Sequence, residues 1–296
     1  MEIRVLRYFL AVAREGSITG AANSLHVTQP TLSRQMKELE EELGHQLLIR
    51  GAHNVRLTPE GMILRQRAEE IVSMAEKTKS ELSSMKGHVR GDIYIGGGET
   101  QAMRLIAEVI AELQKEYPEI CYHLHSGNAE DVTERLDKGL LDFGVLIQPT
   151  DISKYNFISI PAKDIWGVVM PKDCPLAQKE NVCREDLSGL QLILSRQAVR
   201  QTKQHNEFVA WFGKDFEKLN IVATYNLVYN AALLAEQNIG YVLTLDGLVA
   251  AMDNKRVCFR PLVPRLESGL DMVWKKNQLL SPAAKIFLEK IQEKFS

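Results

Sequence analysis

Between Thr58 and Gly87 the apolar and small residues fall on one heptad stripe, and this stretch governs how the rest of the chain can be arranged. Gly61, Leu64, Ala68, Ile71, Ala75, Thr78, Leu82 and Met85 recur at alternating steps of three and four, the a/d spacing of a coiled-coil seam. Thr58-Pro59-Glu60 opens it with a capping hydroxyl and a proline at the first helical position, where its missing N–H is harmless. A helix from there to Gly87 is about 40 Å long at 1.5 Å per residue. Its seam is expected to be buried by the same helix of a second copy, the alternative being packing on the C-terminal domain of its own chain. The helix, residues 59–87, therefore divides the chain in two.

Residues 1–58 read as three short helices and a hairpin. Leu6, Phe9, Leu10 and Ala13 form one helical stripe, which Gly16 can end, and Ser17 can cap a second helix carrying Ile18, Ala21, Ala22 and Leu25. After a break at His26-Val27, Thr28 is the expected N-cap of a third helix, with Pro30 in its first turn. Leu32, Met36, Leu39 and Leu43 are its buried stripe, and Gly44 stops it. Leu47-Leu48-Ile49-Arg50 and Val55-Arg56-Leu57 flank Gly51-Ala52-His53-Asn54, a hairpin that would form a wing.

Two helices joined tightly, the second with a polar face, make a helix-turn-helix. Opposite the buried stripe stand Gln29, Thr31, Ser33, Arg34 and Lys37, with Thr28 and Pro30 at the helix start. Gln can contact adenine in bidentate fashion, Arg guanine, and Ser or Thr a base or phosphate. The helix N-terminus adds backbone N–H groups for a phosphate, and Arg50 and Arg56 flank the wing turn, within reach of the minor groove. Charge decides nothing here. The net value is −2, and through Thr58 seven Lys or Arg oppose six Asp or Glu. Glu38, Glu40, Glu41 and Glu42 crowd the far end of the third helix, away from the cations.

From Gly91 onward strands and helices alternate, which argues for an α/β fold with a mostly parallel sheet. Ile93 to Ile95, Cys121 to Leu124 and Phe143 to Ile147 read as strands around helices striped by Ile106, Val109, Leu113 and by Val132, Leu136. The pattern repeats after Trp166 and closes with Met272-Val273-Trp274 and a last helix. Two such lobes imply a ligand cleft between them. GxSxG, HExxH and CxxC are all missing, so an enzyme is not expected. Cys121, His123 and His125 share one face of a strand, a spacing open to a metal, but polar residues near a strand end explain them with less; no metal and no cofactor is expected. From the scattered cysteines, the charged N-terminus and the lack of a membrane-length apolar run, a cytoplasmic location is expected.

The run from Ala21 to Glu40, with Val27-Thr28-Gln29-Pro30-Thr31-Leu32-Ser33-Arg34 at its centre, resembles the signature of LysR-type transcription regulators. Leu43-Gly44 and Leu57-Thr58-Pro59-Glu60-Gly61 extend the likeness, and the linker helix and both lobes fall where that family has them. The resemblance implies residues 1–58 as a winged helix-turn-helix and 59–87 as a dimerisation helix. It further implies a periplasmic-binding-protein-like effector domain whose lobes are 91–161 with 265–296, and 162–264. It also implies DNA contacts at Gln29, Pro30, Ser33, Arg34 and Arg50. The wing departs from the pattern, with Leu48 where the family commonly has Phe and with an uncharged tip.

In that fold the loop Gly96-Gly97-Gly98-Glu99-Thr100-Gln101 lines the effector site, with Thr100 and Gln101 at a helix N-terminus and Ser195, Arg196 and Gln197 opposite. Ser126 to Asn128, Gln148 and Asn226 follow other strands and are further candidates. Glu99 is expected to point to solvent beside its own helix. Facing the cleft instead, across from Arg196, Arg200 and Lys203, it would suit a zwitterion or an amide-bearing ligand. The partners expected are double-stranded DNA, a small-molecule effector, further copies of the chain as a dimer or tetramer, and RNA polymerase. The function expected is effector-modulated, sequence-specific transcription regulation; the alternative is a cytoplasmic solute-binding or sensor protein without promoter control.

Overall fold

The computed structural model describes residues 1–51, 54–83, 89–200, 206–248 and 256–295, with backbone alone at 80, 81, 83 and 200. Ala52, His53, Met85, Gly87 and Lys203 thus lie outside the described residues, as does the side chain of Arg200. The chain forms two compact units, Met1–Ser83 and Ser84–Ser296.

In the N-terminal unit α1 (Ile3–Glu15) ends at Gly16, whose φ of +61° suits glycine and whose N–H returns to the Val12 carbonyl at 3.0 Å. Ser17 caps α2 (Ile18–Ser24) by accepting from the Gly20 N–H at 3.3 Å. α3 (Gln29–Leu43) follows Thr28 and stops at Gly44. β1 (Leu48–Arg50) and β2 (Val55–Leu57) pair antiparallel as the wing. Phe9, Val12, Ala21, Leu32, Met36, Leu39 and Leu48 fill one core; α2 and α3 supply their expected stripes, while α1 contributes Val12 where the spacing expects Ala13, which is only half-buried. Thr58 ties the wing to α4 (Pro59–Ser83): its Oγ1 accepts from the Gly61 N–H at 2.9 Å and donates to the Gln46 carbonyl at 2.7 Å.

The seam of α4 is not wholly free. Ala68 is buried with Leu6 and Val72, against Leu10 and Leu64, and Gly61 lies so close to the Leu47 carbonyl that a Cβ would approach its oxygen to 2.2 Å. A straight helix turns every 3.6 residues, so a 3.5-residue stripe drifts off the buried face. The packing therefore continues through Val72 rather than Ile71, leaving Ile71 40% and Leu82 62% exposed.

The C-terminal unit contains β3 (Gly91–Gly97), α5 (Met103–Glu116), β4 (Ile120–Ser126), α6 (Ala129–Asp137), β5 (Phe143–Ile147) and β6 (Tyr155–Pro171). Next come β7 (Val182–Cys183), β8 (Gln191–Ser195), α7 (Arg196–Arg200), α8 (Glu207–Phe212), β9 (Asn220–Tyr225) and α9 (Val228–Glu236). β10 (Tyr241–Leu245), β11 (Val257–Val263), β12 (Glu267–Lys275) and α10 (Pro282–Phe295) complete it. Among the described residues the strands run β4-β3-β5-β12-β6-β10-β8-β9, with β11 on β6 and β7 on β11. The sheet is mixed rather than mostly parallel. β3 with β4 and β5, and β8 with β9 and β10, are parallel, while β6 and β12 form an antiparallel spine.

That spine feeds two cores. Ile160, Leu270 and Met272 join Ile93, Ile106, Phe143 and Phe287 in one lobe. Trp166, Val168 and Met170 join Leu192, Phe208, Phe212 and Leu243 in the other. A seventeen-residue strand shared between cores makes the lobes neighbours across a hinge, with a cleft where they face each other.

Candidate DNA-reading helix and effector cleft

On α3 the buried Leu32, Met36 and Leu39 turn the opposite face outward, leaving Thr28, Gln29, Pro30, Thr31, Arg34 and Lys37 exposed. The Thr28 hydroxyl bonds that of Thr31 at 2.8 Å and caps no backbone N–H. Arg34 lies 3.5 Å from Glu38 and Lys37 3.5 Å from Glu41, so the acids stand beside the cations instead of away from them. Exposed i,i+4 pairs of this kind contribute about 0.3–0.5 kcal/mol, too little to hold either cation from a phosphate or base.

Glu40 does something the sequence reading missed. Its Oε1 accepts from the Leu47 and Leu48 N–H groups at 2.8 and 2.9 Å, and its Oε2 lies 3.5 Å from Arg50. Arg50 also donates to the Ser33 hydroxyl at 3.2 Å. A single carboxylate thus fastens the wing to the recognition helix and aligns Arg50 beside Ser33. Arg56 does not join them. Its register partner is Ile49, whereas Arg50 pairs with Val55, so the two arginines occupy opposite faces of the hairpin.

In the C-terminal unit the cleft has an empty volume of about 710 Å³, part of it open to solvent. Trp166, Phe208, Tyr225, Leu245 and Leu266 give it an apolar wall. Of the expected effector residues, Gln148, Ser195 and Asn226 line it, as do Asn128 and Gln197. Thr100, Gln101, Ser126 and Arg196 do not. Thr100 is buried, donating to the Asp164 carboxylate and accepting from the Ala102 N–H at 3.1 Å. Gln101 Nε2 donates to the Gly247 carbonyl at 2.9 Å. Both are therefore turned to the opposite lobe or the spine, and neither lines the cleft. Ser126 is exposed at the end of β4.

Glu99 reverses its expected role. It lines the cleft, and its Oε2 accepts from the Val228 N–H at 2.6 Å, at the first residue of α9 in the other lobe. Gln197 reciprocates: its Oε1 accepts from the Ala129 N–H, first residue of α6, at 3.2 Å. Each lobe thus caps a helix of the other. Gln148 donates to buried Asp271 at 2.7 Å, which also accepts from Ser159 at 2.8 Å. The aromatic wall was hidden in sequence because Trp166 and Phe208 look like core residues, and they are also core residues, with ring centroids 4.6 Å apart.

Asp164, on the spine beside Thr100, is buried, and its carboxyl is pushed up to about 6. Burial is the main cause and Asp246 adds to it, against the Thr100 hydrogen bond. With an ordinary aspartate near 4, the native state holds this proton more tightly than the unfolded chain. The stabilisation is full below pH 4 and is lost as pH rises through 6. Between pH 4 and 7 wild type should lose on the order of 2 kcal/mol relative to Asp164→Asn. Parallel calorimetric pH series check this; identical pH profiles would refute it.

Near the sheet edge, His123 Nε2 lies 2.9 Å from Asp92, and its ring stacks on Tyr94 at 4.6 Å. Cys121 joins them, the three ligand atoms lying within 4.8 Å of one another. His125 turns instead to Asp131 at 2.8 Å. The Asp92 hydrogen bond and the Tyr94 stacking fix the orientation of the His123 ring.

A winged helix-turn-helix joined to a two-lobed cleft domain defines a ligand-responsive DNA-binding regulator. Known proteins give the family. Residues 3–62 match the bacterial regulatory helix-turn-helix protein of the lysR family, and residues 86–296 match the LysR substrate binding domain. The chain belongs to the LysR family of transcription regulators, which are not enzymes, and it is a DNA-binding regulator with an effector-binding domain. The Hca operon transcriptional activator HcaR of Escherichia coli (strain K12) is 29% identical over 297 residues, covering 100% of this chain and 99% of its own. The uncharacterized HTH-type regulator YybE of Bacillus subtilis (strain 168) is 27% identical, with both chains covered in full. The crystal structure of CbnR, a LysR family regulator, shares the fold at a TM-score of 0.76 and 22% identity, covering 100% of each chain. Full-length CbnR complexed with its target DNA gives 0.74 at 22% identity, covering 99% of each. LysR regulators bind DNA and small-molecule effectors and form oligomers. No described helix is long and apolar enough to cross a membrane.

Proposed function

We propose that this regulator reads its operator with Thr28, Gln29, Pro30, Thr31, Ser33, Arg34 and Lys37 of α3, assisted by Arg50. The working parts are then residues 1–58 for DNA, 59–87 for pairing two copies, and the lobes 91–161 with 265–296 and 162–264 for the effector. Arg56 is assigned at most a phosphate contact, since it faces away from Arg50. The effector occupies the cleft among Gln148, Ser195, Gln197 and Asn226, and acts by changing the hydrogen bonds that cross between lobes. Control of transcription from the cytoplasm through contact with RNA polymerase follows from the family role.

The observation that carries the DNA assignment is the polar face of α3, exposed at Gln29, Thr31, Arg34 and Lys37 and braced by the Ser33–Arg50–Glu40 contacts. Arg34→Ala should weaken operator binding by about 2 kcal/mol, roughly thirtyfold, and relax discrimination against mutated operators if Arg34 reads a base. Titrations on operator and scrambled DNA at several salt concentrations measure this. An equal loss on both DNAs with a shallower salt slope assigns Arg34 to phosphate. Wild-type affinity and slope would remove it from the interface.

A further inference from the structure

Helix N-termini facing a cleft are ready-made anion sites, because their backbone N–H groups and dipole favour negative charge. Four helices begin at this cleft, the short α7 and α8 and the longer α6 and α9; α8 is capped by Asn206, whose Oδ1 accepts from the Val209 N–H at 3.2 Å, and the chain fills the two longer ones with its own oxygens as well. At α9 the Val228 N–H is held by the Glu99 carboxylate at 2.6 Å. At α6 the Asp131 N–H is held by Asn128 Oδ1 at 3.0 Å and the Ala129 N–H by Gln197 Oε1 at 3.2 Å. An incoming carboxylate or phosphate would meet a like charge at α9 and an occupied cap at α6.

The charged side chains that line the cleft point the same way; Arg196, between the lining residues Ser195 and Gln197, is not among them, and its Nε is buried without a hydrogen-bond partner. Among the described residues that line the cleft, Glu99 and Glu207 are the ionisable acids, and none is Lys, Arg or His. Asp164 and Asp271 are buried behind it along the spine. The aromatic wall has committed its polar groups: Trp166 Nε1 donates to Ser268 at 2.8 Å and the Tyr225 hydroxyl to the Leu243 carbonyl at 2.7 Å. What these rings offer a ligand is hydrocarbon and π surface, which attracts apolar bodies and cations alike.

We infer that the cleft selects an organic cation, a protonated amine on an aromatic or aliphatic body, with Glu99 as its counter-charge. This rests on the reading that the effector occupies the cleft. Glu99 is the specificity residue: it blocks the α9 terminus to anions and pairs with the ammonium, while Trp166, Phe208 and Tyr225 receive the body.

Matched probes test the charge alone. Isothermal titration of the full-length protein would use 2-phenylethylamine, 2-phenylethanol and phenylacetate, and the aliphatic trio hexylamine, hexanol and hexanoate. The amine of each trio should bind at least tenfold tighter than its acid, with the alcohol between. Glu99→Gln, whose amide oxygen can still accept from Val228, should erase that tenfold preference, and Glu207→Gln should keep most of it. Equal or tighter binding of the acids, or a preference surviving Glu99→Gln, overturns the assignment. Asn226→Phe, which places a ring in the cleft, separates the two levels of failure. If acids bind best and Asn226→Phe blocks them, the cleft reading stands and the charge assignment falls. If no probe binds, or all binding persists in Asn226→Phe, the cleft reading falls and the assignment with it.

Discussion

Replacing Glu40 by alanine should destabilise the N-terminal unit by about 3 kcal/mol and abolish operator binding at the same time. The carboxylate accepts two backbone N–H groups, from Leu47 and Leu48, at the point where the chain leaves α3 and enters the wing. A hydrogen bond to a charged group contributes about 1.5–3 kcal/mol, and the orphaned donors lie where Leu47 and Leu48 are buried. For a unit of this size that is a fall of roughly 12–24 °C in its melting temperature. DNA binding should drop further than stability explains, because Arg50 loses its carboxylate partner and the wing its register against α3. Glu40→Gln keeps one acceptor oxygen and should recover about half of the loss. Calorimetry and operator titration on the same preparations decide the matter: a melting temperature within a degree of wild type would remove Glu40 from this role.

Glu40 also shows what the sequence can and cannot convey. The helices of the N-terminal unit, the caps at Ser17 and Thr58 and most of the core stripes are readable, because each depends on residues three or four apart, whereas the expected Thr28 cap is not formed and the short α7 and α8 leave no such pattern. In the sequence Glu40 is one of four acids at the end of a helix. Its partners become neighbours only after the chain folds back through Gly44, and backbone N–H groups leave no trace in residue types. The cleft repeats the lesson. Glu99 and Thr100 are adjacent polar residues in a glycine-rich loop, and nothing local says which will face the ligand. The fold gives the cleft to Glu99 and buries Thr100 against Asp164, the reverse of the expectation. Trp166 and Phe208 were invisible for the opposite reason, since a residue that lines a cleft on one side and a core on the other carries only the signature of the core.

The heptad stripe of α4 leads to the second large effect. Ile71→Glu should split the oligomer while leaving the N-terminal unit folded. α1 already covers Ala68 and Val72, so the stripe is divided between a face used within the chain and a face still open. On the open side Ile63 is 65%, Ile71 40% and Leu82 62% exposed, too apolar a succession for a solvated helix and suited to the same face of a second copy. A glutamate at the centre of that contact would be buried without a partner in both helices. At about 4 kcal/mol, the dimer dissociation constant rises close to a thousandfold. Because Ile71 is not part of the core with Leu6 and Val72, melting of the dissociated chain should stay near that of Ile71→Ala. Sedimentation velocity across protein concentration distinguishes the outcomes. Separation into monomers that no longer bind a two-half-site operator tightly is the expected result, since one recognition helix per half-site requires two joined chains. An Ile71→Glu protein that sediments as wild type would assign pairing to another surface and leave the open face of α4 without that role.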